Sequence, residues 1–259
     1  MGKVYIVGAG PGDPELITIK AMKAIQKADV ILYDRLVNKE LLAYAKKEAD
    51  LIYCGKLPNY HTMRQETINK FLVKYAQAGK IVTRLKGGDP YLFGRGGEEA
   101  EVLVQKRIPF EVIPGVTAAS AASAYAGIPL THRSISASCA FITGHRAGDR
   151  KTKEETIHLM KAADTVAVYM GVKNIPEIQD MMVRSGKDPN TPVAFIEWAT
   201  TEEQRTVTTT VKEMAKSAKE NCISNPCMII IGEVVRFHDQ LNWFEKQMSN
   251  IDFTTGVSL

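Results

Sequence analysis

Short apolar runs alternate with helix-like stretches through the first half of this chain, and that rhythm restricts the folds open to it. Val4–Val7 precedes a helical pattern over Thr18–Lys27, and Val30–Tyr33 precedes another over Lys39–Lys47. Leu51–Tyr53 leads to Gln65–Ala78, Ile81–Leu85 to Glu98–Gln105, and Phe110–Ile113 to the small-residue stretch Thr117–Ala126. Apolar runs this short, spaced by helices, are the pattern of strands buried on both faces. They predict an α/β fold built on a mostly parallel sheet with helices covering both sides.

The rhythm pauses at Gly127–Ser134 (GIPLTHRS). Beyond it, Ala140–Thr143, Thr165–Tyr169, Pro192–Ile196, Thr206–Thr210 and Met228–Ile231 read as strands. Glu154–Ala162, Ile175–Arg184 and Lys212–Lys219 read as helices between them, with Met181 and Met182 as core or interface residues. Thr-rich runs and a late pair of strands predict a mixed sheet here. A chain of 259 residues is long enough for two cores. The expected division is an N-terminal α/β domain over 1–131, a C-terminal α/β domain over 132–248, and a loosely held tail over 249–259.

Two glycine loops carry the chemistry. RLKGGDPYLFGRGGEE, Arg84 to Glu99, holds five glycines between a strand and a helix. Ordering that many glycines loses backbone entropy, roughly 0.5–1 kcal/mol each relative to Ala. Such a loop is expected where backbone approaches a ligand closely. The first strand ends in VGAGPGD, with glycines at 8, 10 and 12, and Asp34 closes the second strand. This is half of a dinucleotide fingerprint, and an NAD-dependent oxidoreductase is the rival it raises. The details oppose a phosphate. Position 13 is Asp rather than Gly, and Pro11 lacks the N–H that a phosphate would use. Asp89 would repel a phosphate in the second loop, and no GK[ST] follows it. An acid in a glycine loop suits a ligand with hydroxyls or positive charge.

Composition removes other classes. The net charge of +4 is spread along the chain, which does not read as a nucleic-acid footprint. No apolar run approaches the ~18 residues of a membrane span, and no signal peptide is read at the start. Cys54, Cys139, Cys222 and Cys227 form no CxxC pair and lie near no His at zinc spacing. They are expected to be reduced packing cysteines of a cytoplasmic protein without a metal site.

Several longer motifs occur together and in order: GAGPGDPELITIKA, YDRLV at 33–37, GK at 55–56 followed by His61, RLKGGDPYLFGRGGEE, PGVTAASAASAYAGIPLTHR at 114–133, and TGH at 143–145. Together they resemble the tetrapyrrole methylase family, and within it the branch acting on uroporphyrinogen III. The resemblance implies the tetrapyrrole methylase fold, with the active site in a cleft between two domains of each subunit of a homodimer. It implies two successive methyl transfers from S-adenosylmethionine to uroporphyrinogen III, giving precorrin-2 for sirohaem or cobalamin synthesis and S-adenosylhomocysteine as by-product. A non-catalytic tetrapyrrole carrier is the remaining alternative.

The resemblance also assigns roles. Pro11, Gly87, Gly88, Asp89, Leu92, Thr117 and Ala118 are expected to contact the cofactor, with Met170, Ala199 and Cys227 from the second domain. Related chains often have Gly and Ala where this one has Ala199 and Cys227. Asp34 is the expected base, and Lys56 the expected proton donor or substrate anchor. The eight substrate carboxylates would dock on Arg35, His61, Arg95, His132 and Arg133, although any of these cations can instead pair with surface Glu. His145 reads as a hinge residue, and His158 and His238 as ordinary surface or helix histidines.

Overall fold

The computed structural model describes residues 2–55, 63–144 and 153–248. The chain divides into two compact units, Met1–Ala118 and Ala119–Leu259.

The first unit is built on strands β1 (Lys3–Gly8), β2 (Val30–Tyr33), β3 (Asp50–Tyr53), β4 (Ile81–Lys86) and β5 (Phe110–Ile113). They form one sheet in the order β3-β2-β4-β1-β5, with all four pairings parallel. Successive strand side chains point to opposite faces. Val4 and Ile6 of β1 therefore join α2 (Gln65–Gln77) and α3 (Gly96–Gln105) in one core. Val7 joins α1 (Ile19–Lys27) in the other, where Ala21, Ala24 and Ile25 pack. Thr18 starts α1 by accepting a hydrogen bond from the Ala21 N–H at 3.1 Å.

One expected helix takes another form. Lys39–Lys47 gives a 3₁₀ segment, Lys39–Tyr44, rather than an α-helix. Only Leu41 of that segment is buried, and one anchor is too little apolar surface to hold a short α-helix. Asn38 caps it tightly, accepting from the Glu40 N–H two residues on at 2.9 Å.

This topology prepares a ligand site. The chain leaves β1 toward β2 through α1 on one face, and leaves β4 toward β5 through α3 on the other. The loops after β1 and β4 therefore leave neighbouring strands at the carboxyl edge of the sheet, where open parallel sheets bind ligands.

The second unit opens on α4 (Ala118–Tyr125). Its sheet combines β6 (Cys139–Thr143), β7 (Thr165–Tyr169), β8 (Pro192–Glu197), β9 (Arg205–Thr210) and β10 (Cys227–Ile231) in the order β6-β7-β10-β8-β9. Only β6 and β7 run parallel, so the sheet is mixed. On one face it packs α5 (Lys153–Ala162), α6 (Ile175–Arg184) and α7 (Met214–Glu220), with Met181 and Met182 in that core. The small residues of α4 serve packing inside this unit. The Ala119 N–H donates to Tyr169 Oη at 3.1 Å, and Trp243 Nε1 donates to the Ala124 carbonyl at 3.0 Å. A 3₁₀ segment, Glu233–Phe237, and α8 (His238–Leu241) follow β10; sequence reasoning assigned nothing there. All four cysteines are free. Among the described residues no helix is long and apolar enough to cross a membrane.

Candidate active site

At the carboxyl edge of the first sheet the two glycine loops pair with each other. Gly88 N–H donates to the Gly10 carbonyl at 2.6 Å, and Gly10 N–H to the Gly88 carbonyl at 3.3 Å. Both residues have positive φ, +80° and +68°, which glycine adopts without a side-chain clash. A third backbone arrives after β5: Gly115 lies so close to Gly8 and Gly88 that a side chain there would strike main chain on both sides. Asp89 fixes this arrangement. Its Oδ1 accepts from the Tyr91 N–H at 2.8 Å and its Oδ2 from the Gly115 N–H at 3.1 Å.

Pro11, Gly87, Gly88, Asp89, Thr117 and Ala118 are thereby brought to one place. A Cβ on Gly88 would meet Ala118 N at 3.8 Å and Thr117 Cα at 4.0 Å, so the missing side chain leaves a notch. Leu92 is half-buried farther along the loop. Arg95 starts α3 from the left-handed region, with φ 59°, and its guanidinium grips Glu98 at 2.8 and 2.7 Å. That pairing holds the Glu98 carboxyl below the usual range.

Beside the notch lies a buried charge cluster that pattern reading missed. Arg84 and Lys86, on central strand β4, have side chains only 2% and 4% exposed, and Glu99 of α3 is 0% exposed. Arg84 Nη2 donates to Asp34 Oδ1 at 2.5 Å, and Arg84 Nε to Glu99 Oε1 at 2.9 Å. Lys86 Nζ donates to the same Glu99 oxygen at 3.0 Å, and Gln65 Nε2 does so at 3.1 Å. Glu99 Oε2 accepts no hydrogen bond among the described residues, an arrangement that costs about 1–3 kcal/mol in a buried carboxylate. Burial pulls the Arg84 pKa down, but Asp34 and Glu99 reverse this and raise it. Burial, reinforced by Arg84, pushes Lys86 below an ordinary lysine despite Glu99 and Asp34. Charges in a parallel strand covered on both faces are rare unless paired, and the alternation Thr83-Arg84-Leu85-Lys86 within a predicted strand was the available signal. Asp34 itself follows β2 and keeps 31% side-chain exposure; Arg35, next in the chain, is exposed.

In the second unit Met170 follows β7, Ala199 follows β8, and Cys227 opens β10, which runs antiparallel to both. All three lie at one end of the second sheet. The turns carry positive φ at Met170, Trp198 and Thr200. Glu197 braces this end, accepting from Arg205 Nε at 2.9 Å and from the Ser224 N–H and Oγ at 2.7 and 2.9 Å. Burial pushes the Cys227 thiol up to about 12, so it is neutral at ordinary pH.

His132 and Arg133 sit at the other end of that sheet. The 132–136 turn is tied to the start of β7 through Ser136 Oγ and Thr165 Oγ1, 2.8 Å apart. A five-residue strand separates the ends, about 13 Å at ~3.3 Å per residue. The second unit therefore does not bring these two residues together with Met170, Ala199 and Cys227. The His132 ring lies 4.7 Å from that of Phe237, and Arg133 is exposed. Lys56, His61 and His145 lie outside the described residues. No group of three or more His, Cys, Asp or Glu placed to hold a metal occurs among the described residues.

Residues 3–215 match the family of tetrapyrrole (corrin/porphyrin) methylases. The chain belongs to that family. This tetrapyrrole methylase is 58% identical to uroporphyrinogen-III C-methyltransferase of Bacillus subtilis, over 99% of its own length and 100% of the relative's. It is 48% identical to sirohaem synthase of Methylobacillus flagellatus over 94% of its length, which covers 52% of that longer protein. Its fold matches the crystal structure of uroporphyrin-III C-methyl transferase from Thermus thermophilus complexed with S-adenosylhomocysteine. That match has TM-score 0.78 and 41% identity, and covers 91% of this chain and 99% of the other. In this methylase the dinucleotide-like GAGPGD loop is thus half of a paired glycine crevice, with Pro11 where a phosphate loop would offer an N–H.

Proposed function

We propose that this chain transfers methyl groups from S-adenosylmethionine to uroporphyrinogen III, twice in succession, giving precorrin-2 for sirohaem or cobalamin synthesis. The observation that carries this reading is the 58% identity, over 99% of the chain, to a relative named for that activity. The crevice is compatible with the cofactor. A notch beside Gly88 that a Cβ would fill, bordered by an acid and a proline, suits a cationic ligand with hydroxyls and no phosphate. Pro11, Gly87, Gly88, Asp89, Leu92, Thr117 and Ala118 would hold it in the first unit. When bound, S-adenosylmethionine supplies a methyl group already activated on a sulfonium.

The residues then have two tasks. Positioning is the first, and fixed in-line geometry can supply about 7–11 kcal/mol of the barrier. The paired loops, locked by Asp89, provide a rigid floor for it. The second task is the proton. A pyrrole carbon that gains a methyl leaves positive charge on the macrocycle, and a carboxylate stabilises that charge and then takes a proton. Asp34 is suited to this: Arg84 fixes its Oδ1, and the side chain remains accessible. Exposed Arg35, next in the chain, would dock a substrate carboxylate. We further infer a cytoplasmic homodimer, which sedimentation of the purified protein tests for its stoichiometry.

Incubation with uroporphyrinogen III and methyl-labelled cofactor should place two labels in each macrocycle. Absence of label would overturn the proposal. Asp34→Asn should lower kcat by about 10²–10⁴-fold while leaving S-adenosylhomocysteine affinity intact. Near-normal turnover would remove Asp34 from the mechanism.

A further inference from the structure

Glu99 is the member of the buried cluster that joins both of its cations. Its Oε1 accepts from Arg84, Lys86 and Gln65 together. Its Oε2 accepts nothing among the described residues. A carboxylate needed only to fill the core would be better replaced by an apolar side chain, because burying charge opposes folding. The geometry shows what it does instead. Arg84 reaches Asp34 Oδ1 at 2.5 Å, whereas Lys86 Nζ, drawn to Glu99 at 3.0 Å, stays 3.9 Å from Asp34 Oδ2. Among the described residues Asp34 Oδ2 therefore meets a cation only at the longer Lys86 distance, on the only side chain of these four that is more than 4% exposed.

We propose that Glu99 is a positioning residue for Asp34, holding Lys86 off its carboxylate and balancing the two buried cations so that Asp34 stays a competent base. This rests on the reading of Asp34 as the base. The charged and titratable groups around Asp34 among the described residues are Arg84 and Lys86 on β4, Glu99 on α3, Cys54 after β3, and Arg35 next to it in the chain. Glu98 acts on Lys86 from the same helix and is paired with Arg95. Burial pushes the Cys54 thiol up to about 11, so it carries no charge near neutrality. Apart from exposed Arg35, the set reduces to two buried cations against Glu99 and Asp34. Removing Glu99 favours the charged form of Asp34 and weakens it as a base; removing Lys86 does the opposite.

The test reads Asp34 directly. In the full-length protein with ¹³C-labelled aspartate, the Asp34 carboxyl resonance is assigned by its loss in Asp34→Asn and followed against pH. Glu99→Gln should lower its midpoint by about one pH unit, tenfold in proton affinity. Lys86→Met should raise it by a similar amount, and the double variant should return close to wild type. The acidic limb of the kcat profile should move in the same directions. Single variants that shift the midpoint the same way, or leave it fixed while folded, would overturn the proposal. Should Glu99→Gln not fold, a rise in Lys86→Met and its cancellation in the double variant decide the matter, and no rise would refute it. If Asp34→Asn keeps its turnover while the midpoints move as expected, the reading of Asp34 as base fails and the role of Glu99 in setting its charge stands.

Discussion

In the first unit the crossing of the two loops is built on glycine, with Gly10 and Gly88 at φ +80° and +68°, although Phe93 and Arg95 farther along the second loop also have positive φ. In the second they are built on Met170, Trp198 and Thr200, at φ 54°, 46° and 71°. Glycine reaches that region by itself; a side chain must be held there. The holding contacts can be named. Trp198 N–H donates to the Pro226 carbonyl at 3.0 Å, Thr200 N–H to Gln204 Oε1 at 2.8 Å, and Glu197 grips Arg205 and Ser224. The first crossing combines glycine's backbone freedom with long-range bonds from Asp89, whereas the turns of the second hold side-chain-bearing residues by hydrogen bonds alone. The two should therefore fail differently when perturbed.

The largest effect is expected at the crossing of the glycine loops. In Gly115→Ala the new Cβ would strike the Gly88 carbonyl oxygen and lie 2.8 Å from Gly8 Cα, with backbone on both sides and no flexible side chain to yield. A loss of about 3 kcal/mol in stability is expected, from overpacking without relief. S-adenosylhomocysteine affinity should fall by at least about tenfold, or 1.4 kcal/mol. Urea unfolding and calorimetric titration measure the two. Wild-type values for both would mean that the paired loops are not the rigid floor described above.

Glu197→Gln probes the other kind of support. Burial would raise the Glu197 pKa, but Arg205 and Ser224 outweigh it and leave the carboxyl below its ordinary value. Removing the charge of a buried pair destabilises by about 3–5 kcal/mol; with Arg205 50% exposed, about 2 kcal/mol is expected at pH 7. The pH dependence has a definite sign. A depressed carboxylate contributes stability above its unfolded pKa, near 4.5, and loses it as pH falls through the folded value. The gap between wild type and variant should therefore be full at pH 7 and shrink below pH 4.5. A gap constant down to pH 3 would show that Glu197 braces the turn by shape rather than by charge.

The same contrast explains what was legible in the residues. Val30–Tyr33, Phe110–Ile113, Thr165–Tyr169 and Ile175–Arg184 have the bounds expected of them, because each buries a continuous or periodic apolar face. The glycine loops were visible because glycine announces unusual backbone. The burial of Arg84, Lys86 and Glu99 was not read, because a periodicity argument takes charge as solvent-facing, and only the sheet order puts β4 in the centre. The positive φ of Trp198 was equally hidden, since its N–H donates to the Pro226 carbonyl, distant in sequence. Lys212–Lys219 breaks into a 3₁₀ turn, Val211–Glu213, before α7 for a tertiary reason too: Gln179 Oε1 caps the Ala215 N–H at 2.8 Å.

The smallest effect is the sharpest test of the comparison. Met170 is exposed and sits at φ 54°, a conformation that costs a non-glycine residue roughly 1–2 kcal/mol. Met170→Gly removes that strain but adds chain entropy to the unfolded state, roughly 0.5–1 kcal/mol. Stability should stay level or rise by up to about 1 kcal/mol. If Met170 serves cofactor binding, S-adenosylhomocysteine affinity should fall in the same variant, separating function from stability in opposite directions. Gly115→Ala should instead lose both together. A Met170→Gly protein that is stabilised and binds as tightly as wild type would leave its strained turn without a ligand role. One that is strongly destabilised would show that the side chain is structural after all.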